Sequence, residues 1–211
     1  MKSDGLQKIL CVGVNYRPHI EEMGRDLPAY PVVFTRFPSS LVSDGEAIIR
    51  PGVSEQLDFE GDLAVVIGKT ARYVRRENAL EYVGGYCCFM DGSVRDWQRH
   101  TMQFTAGKNF EKSGAIGPVV DAGRVGDPAA LELTTRVNGE VMQKGCVGEL
   151  VFDIPYLVEY CTTFTELRPG DVIATGTPGG VGAARTPPVW LQDGDVVEVD
   201  IPGVGCLRNP V

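Results

Sequence analysis

The chain has 211 residues, 43% of them hydrophobic, enough for one domain, residues 1–211, with a sizeable core. Its formal charge of −8 argues against a nucleic-acid binder, while leaving room for local arginines to receive a small anion. No apolar run approaches the roughly 18 residues of a membrane span, and the first residues lack a signal peptide's apolar centre, so a cytoplasmic protein without membrane contact is expected.

In chain order, "KILCVGVN" (8–15) reads as a strand and "HIEEMG" (19–24) as a short helix or turn closed by Gly24. "PVVFTRF" (31–37) is strand-like, and "LDFEGDLAVVIG" (57–68) carries an apolar strand entered through acids. "ENALEYVGGYCCFMD" (77–91) predicts a helix passing into a strand through Gly84–Gly85, followed by the helix-like "SVRDWQRHT". Asn138-Gly139 between alternating runs predicts a tight hairpin. Residues 152–167 predict a helix after Pro155, a residue suited to a first turn. "GDVIATGTPGGVG" is a strand entering a glycine-rich loop, and "DGDVVEVDIPGVGCLRNPV" a closing strand pair. Many strands and few helices make an α+β, β-rich fold with mixed or closed sheets. Six cysteines, with no C-x-x-C spacing, read as buried reduced thiols.

Asp58, Glu60 and Asp62 are spaced two apart, so one continuous strand would send all three from one face. Like charges that close need something positive between them. Asp91 ends another apolar run, and the acids together would make an all-oxygen ligand set suited to Mg²⁺, Mn²⁺ or Ca²⁺ and not zinc. The bland alternative is a solvated strand edge. His19 and Glu22 stand three apart, on one helical turn, where a carboxylate can orient an imidazole as a base for water. "GTPGGVG" lacks the Gly-Lys-Ser/Thr ending of a phosphate loop. Arg17 and Arg36 are read as a bidentate grip on a substrate carboxylate, with solvated surface arginines the alternative.

Six motifs in order, "GVNYRPHIEEMG", "FEGDLAVVIGK", "YVGGYCCFMDGSVRDWQ", "GKNFEKSGAIGPVV", "RVNGEVMQ" and "GDVIATGTPGGVG", make the chain resemble the fumarylacetoacetate hydrolase family from about Lys8 to Val211. The resemblance implies a mixed β-roll, a homodimer, and Mg²⁺ or Mn²⁺ (Ca²⁺ as a substitute) on Glu60, Asp62 and Asp91. Asp62 stands where the family's motif has a glutamate, one methylene longer. By the same resemblance His19 and Glu22 match a water-activating pair, and Lys108 a lysine meeting developing negative charge, with Lys112 close by. Gln98 and Thr177 match substrate contacts, and Arg95 a residue holding the acids. The family covers several reactions, and His19 with Glu22 makes hydrolysis of a C–C bond in an acylpyruvate-type 2-oxo acid the first expectation among them. Decarboxylation or isomerisation of an unsaturated 2-oxo diacid, oxaloacetate included, is the alternative, and a non-catalytic metal-binding protein the remote one.

Overall fold

A computed structural model describes residues 8–22 and 26–211, with the side chains of His19 and Glu22 and the expected helix stop at Gly24 outside the described residues. The chain enters through β1 (Ile9–Gly13), α1 (Arg17–Glu22), β2 (Val32–Arg36) and β3 (Leu41–Ser43). Then come β4 (Leu57–Asp58), β5 (Gly61–Ile67), a 3₁₀ helix (Arg76–Tyr82), β6 (Val83–Met90), β7 (Ser93–Val94), α2 (Arg95–Gln98) and α3 (Thr105–Lys108). The second half holds β8 (Gly114–Ile116), β9 (Val120–Asp121), β10 (Glu132–Val137), β11 (Glu140–Cys146), α4 (Ile154–Phe164), β12 (Val172–Ala174), β13 (Val196–Ile201) and β14 (Gly205–Pro210).

Eight strands form a curled mixed sheet in the order β2-β1-β12-β5-β6-β8-β3, with β9 also on β6. β1–β12 and β3–β8 run parallel and the other pairs antiparallel. β5 is central and buried at all seven positions because both of its faces are covered. Leu63, Val65 and Ile67 join one core with Leu10 and Val12, while Ala64 and Val66 join a second with Ile9, Cys11 and Phe89. Each such fully buried branched side chain contributes about 1.5–3 kcal/mol of transfer free energy. A second antiparallel sheet, β11-β10-β13-β14, adds Leu133, Val199, Ile201 and Leu207 to the larger core. This is the β-rich α+β architecture expected.

The hairpin turns at Asn138 (φ 53°) and Gly139 (φ 82°), the two positive dihedrals its tight loop requires. α4 begins where Asp153 accepts from the Tyr156 amide (2.9 Å), Pro155 sits in the first turn, and Leu157, Val158 and Cys161 face the core. Among the described residues no helix is long and apolar enough to cross a membrane, and all six cysteines are unpaired.

Two expectations are corrected. The helix before β6 is 3₁₀, and the strand starts at Val83, ahead of the glycine pair. The acids do not share one strand: the chain leaves extended pairing at Phe59–Glu60, so Asp58 lies in β4 against β7 and Asp62 in β5 against β6. The alternation rule ends where the ladder ends.

Candidate active site

The β5–β6 register sets Gly61 opposite Met90, so the residues just outside that pair, Glu60 and Asp91, become neighbours. The Asp91 amide donates to the Glu60 carbonyl (2.8 Å). Asp62 is two residues along β5, and the loop leaving β12 brings the Gly176 amide to its Oδ2 (3.0 Å). Gly176 has φ +105° and passes so near Asn15 and the Val12 carbonyl that a Cβ there would lie 3.0–3.1 Å from them.

The positive partner between the acids is Lys108, at the end of α3 and 1% exposed. Its ammonium lies 2.6 Å from Glu60 Oε2 and 2.7 Å from Asp91 Oδ2. Arg95, the first residue of α2, reaches three groups: Asp58 Oδ2 (2.7 Å), Glu60 Oε1 (2.5 Å) and Gln98 Oε1 (2.9 Å). Arg36 donates to Asp91 Oδ1 at 2.7 Å. Three buried acids (Asp58, Asp62, Asp91) and the half-buried Glu60 thus meet three buried cations (Arg36, Arg95, Lys108). The acid left over is Asp62, whose Oδ1 is buried without a hydrogen-bond partner.

The titration of these groups follows that imbalance. Burial pushes Glu60 up, but Lys108 and Arg95 outweigh it and bring it down to about 2. Burial pushes Asp62 well above the usual carboxylate range, and the charges of Asp91 and Glu60 add to it. Lys108 is raised: burial disfavours its ammonium, yet Asp91 and Glu60 overcome that cost.

Among the described residues no three Asp, Glu, His or Cys side chains converge as they stand into a ligand set, the Lys108 ammonium lying between Glu60 and Asp91. The donors still suit a hard divalent cation. They are all carboxylate oxygens, and the orphaned Asp62 Oδ1 marks where one further positive charge would be satisfied.

Above this cluster opens a cavity of about 530 Å³ bordered by Glu60, Arg95, Gln98, Lys108 and Thr177 among others. Phe34 and Phe104 cross edge to face at 5.5 Å, with the Lys108 ammonium 5.1 Å from the Phe34 ring. Thr177 donates to the Gly61 carbonyl (2.9 Å) and accepts from Gln143 Nε2 (2.8 Å).

Lys108 and Arg95 therefore pair with Glu60, Gln98 and Thr177 border the cavity with it, and Asp62 and Asp91 are outside that lining. Lys112 is exposed and outside the group. Two expectations for substrate binding are corrected. Arg36 is 2% exposed, with its fork spent on Asp91, Gly92, Ser40 and Ser113, so it is a clamp for Asp91 and not a substrate ligand. Arg17 is exposed on α1 and does not border the cavity. The side chains of His19 and Glu22 lie outside the described residues. The glycine-rich loop binds a carboxylate: the amides of Gly182 and Ala183 donate to Asp58 (2.7 and 3.1 Å).

Sequence reasoning missed Gln143 and Arg99. Gln143, 1% exposed, accepts from the Gly61 amide (3.0 Å) and ties Thr177 and Pro178 to the start of β5. Only its place in "RVNGEVMQ" hinted at it. Arg99 borders the cavity just beyond Gln98.

Residues 8–211 match the fumarylacetoacetate (FAA) hydrolase C-terminal family. The chain is 41% identical over 209 residues to an oxaloacetate tautomerase of Bacillus subtilis, covering 97% of this chain and 69% of that one. A fumarylacetoacetate hydrolase from psychrophilic Exiguobacterium antarcticum superposes with a TM-score of 0.90 at 43% identity, covering 97% of this chain and 74% of that one. A fumarylpyruvate hydrolase from Pseudomonas aeruginosa, in complex with Mn²⁺ and pyruvate, superposes with a TM-score of 0.88 at 31% identity, covering 98% and 89%.

Proposed function

Because this chain belongs to the fumarylacetoacetate hydrolase family, we propose that it carries out enol chemistry on a short 2-oxo acid, interconverting the keto and enol forms of a 2-oxo diacid such as oxaloacetate. The observation that carries this reading is the buried Lys108 ammonium, held between Glu60 and Asp91 at the cavity floor. Keto–enol interconversion moves a proton between C3 and the C2 oxygen, and negative charge develops on that oxygen. The Lys108 ammonium gives its N–H bonds to Glu60, Asp91 Oδ2 and the Asp91 carbonyl, so what it brings to that oxygen is a fixed positive charge that stabilises the developing oxyanion. Arg95 and Lys108 hold Glu60 in place, and Gln98 and Thr177 offer hydrogen bonds to orient the substrate. Glu60, Asp62 and Asp91 would hold Mg²⁺ or Mn²⁺, which when bound supplies Lewis-acid stabilisation of oxyanion charge. Similarity to the Bacillus tautomerase supports this choice among the family's reactions.

Hydrolysis of an acylpyruvate C–C bond is the second reading, supported by the likeness to the Pseudomonas fumarylpyruvate hydrolase. It requires a water-activating base, the role proposed for His19 with Glu22. The test is one set of assays on purified protein with and without Mg²⁺ or Mn²⁺. Metal-dependent acceleration of enol-oxaloacetate absorbance decay, without release of CO₂, is the expected result. Pyruvate released from acetylpyruvate or fumarylpyruvate, and lost in His19→Ala, would move the assignment to hydrolysis; CO₂ from oxaloacetate would move it to decarboxylation. Failure to bind oxalate in the presence of either metal would favour a protein without catalysis.

The six unpaired thiols support a reducing compartment, the cytoplasm. A homodimer is the proposed assembly, supported by the edge strand β2, where Val32 is 51% exposed, and is read by light scattering.

A further inference from the structure

We infer that Arg99 reads the second carboxylate of a dicarboxylic substrate, an inference that rests on the enol-chemistry reading of the cavity. Among the described residues three cations border that cavity: Arg95, Arg99 and Lys108. Arg95 and Lys108 are each spent on two carboxylates. Arg99 alone has neither an ion pair nor a side-chain hydrogen bond among the described residues, and its side chain is exposed. Its backbone is fixed: the Arg99 amide closes α2 by donating to the carbonyls of Arg95 (3.2 Å) and Asp96 (3.3 Å). The backbone of Arg99 is therefore fixed one residue past Gln98, and its exposed side chain borders the same cavity.

The chemistry at the two ends of this space differs. The floor offers a protonated lysine and carboxylates, suited to the 2-oxo acid end. Apolar side chains, Val12, Phe34 and Phe104, also line the cavity, suited to a short carbon chain and offering it no hydrogen bond. The rim supplies an unpaired planar fork of N–H donors, the geometry that takes a carboxylate bidentately. Arg95 and Lys108 are neutralised by Asp58, Glu60 and Asp91, so Arg99 is the cation bordering the cavity whose charge no described carboxylate balances. A dianion satisfies both ends; a monoanion leaves Arg99 to water.

The experiment compares oxaloacetate with its 4-methyl ester, which keeps the 2-oxo acid end and removes the distal charge, on wild type, Arg99→Gln and Arg99→Lys with Mg²⁺. A charge-assisted hydrogen-bond pair corresponds to a rise of about 10- to 100-fold in the oxaloacetate KM of Arg99→Gln, while the ester's KM moves less than about 3-fold. Arg99→Lys should restore part of the preference, because it keeps the charge and loses the fork. Equal effects on diacid and ester, or none on either, would overturn the inference. If wild type turns over neither compound, the enol-chemistry reading fails, and calorimetric titration with the same two compounds still decides for Arg99. A dianion preference that disappears in Arg99→Gln supports the inference, and its absence in wild type overturns it.

Discussion

Arg36→Met separates a clamp from a substrate ligand. The guanidinium is 2% exposed and donates five hydrogen bonds, to Asp91 Oδ1, the Gly92 carbonyl, both oxygens of Ser40 and the Ser113 hydroxyl. Methionine fills part of the volume but donates nothing, so Asp91 loses one of its two cations inside the protein. Removing one partner of a buried pair costs about 3–5 kcal/mol, and a stranded buried carbonyl costs about 1–3 more. Lys108 still holds Asp91 Oδ2 at 2.7 Å, which keeps the loss near the lower end, about 3–4 kcal/mol overall. Urea unfolding in metal-free buffer reads this as a midpoint lowered by about 1 M or more, with m unchanged. Arg17→Met, at an exposed position, is the control and should stay within about 0.5 kcal/mol. The double variant Arg36→Met/Asp91→Asn should recover part of the loss, because the stranded charge is then gone. A variant within about 1 kcal/mol of wild type but with a raised KM would refute the reasoning and return Arg36 to the substrate.

The remaining predictions concern neighbouring parts of the site. A Cβ on Gly107 would lie 2.5 Å from the backbone nitrogen and Cα of Gln98, so Gly107→Ala must push α3 off α2 and displace Lys108. Turnover should fall at least about 10-fold for a melting-temperature loss of a few degrees, and unchanged turnover would show that Lys108 needs no such placement. Glu60 is held as a carboxylate down to about 2, against 4.5 in a free side chain, so its contribution is present above pH 4.5 and lost as pH falls through about 2. That contribution is about 3 kcal/mol. Unfolding midpoints at pH 5 and pH 3 should therefore drop more in wild type than in Glu60→Gln, and parallel profiles would sink the claim. Burial pushes Cys87 and Cys161 up to about 12, while Cys206 is exposed. Alkylation at pH 8 followed by mass spectrometry should mark Cys206 first and leave Cys11, Cys87, Cys88 and Cys161 unmodified until the chain is unfolded.

The elements that could be read from the chain are those governed by local rules. The Asn138-Gly139 turn, the helix behind Pro155 and the apolar run of β5 each follow from dihedral preference or periodicity within a few residues. The same locality explains the error at Asp58. Its spacing of two from Glu60 and four from Asp62 is visible in the chain, whereas the break at Phe59–Glu60 accompanies β4 pairing with β7, more than thirty residues away.

The acids announce themselves because carboxylates ahead of an apolar strand are unusual; of their cations, Lys108 and Arg95 are named only through the family resemblance, and Arg36 is assigned to the substrate. Lys108 reaches Glu60 across 48 residues and Arg36 reaches Asp91 across 55, separations set by sheet register and by the docking of α3. An arginine's type says only that it will seek an anion. Arg36 lies at the end of β2, hydrogen-bonded to β1, where its guanidinium is sealed inside, and Arg99 closes α2 at the cavity rim, where it faces solvent. Both were available to the same guess about a substrate carboxylate, and burial separates them. Arg36, Arg95 and Lys108 are each paired with the acids and so build the floor; the cation left outside that pairing is the one free to choose a ligand.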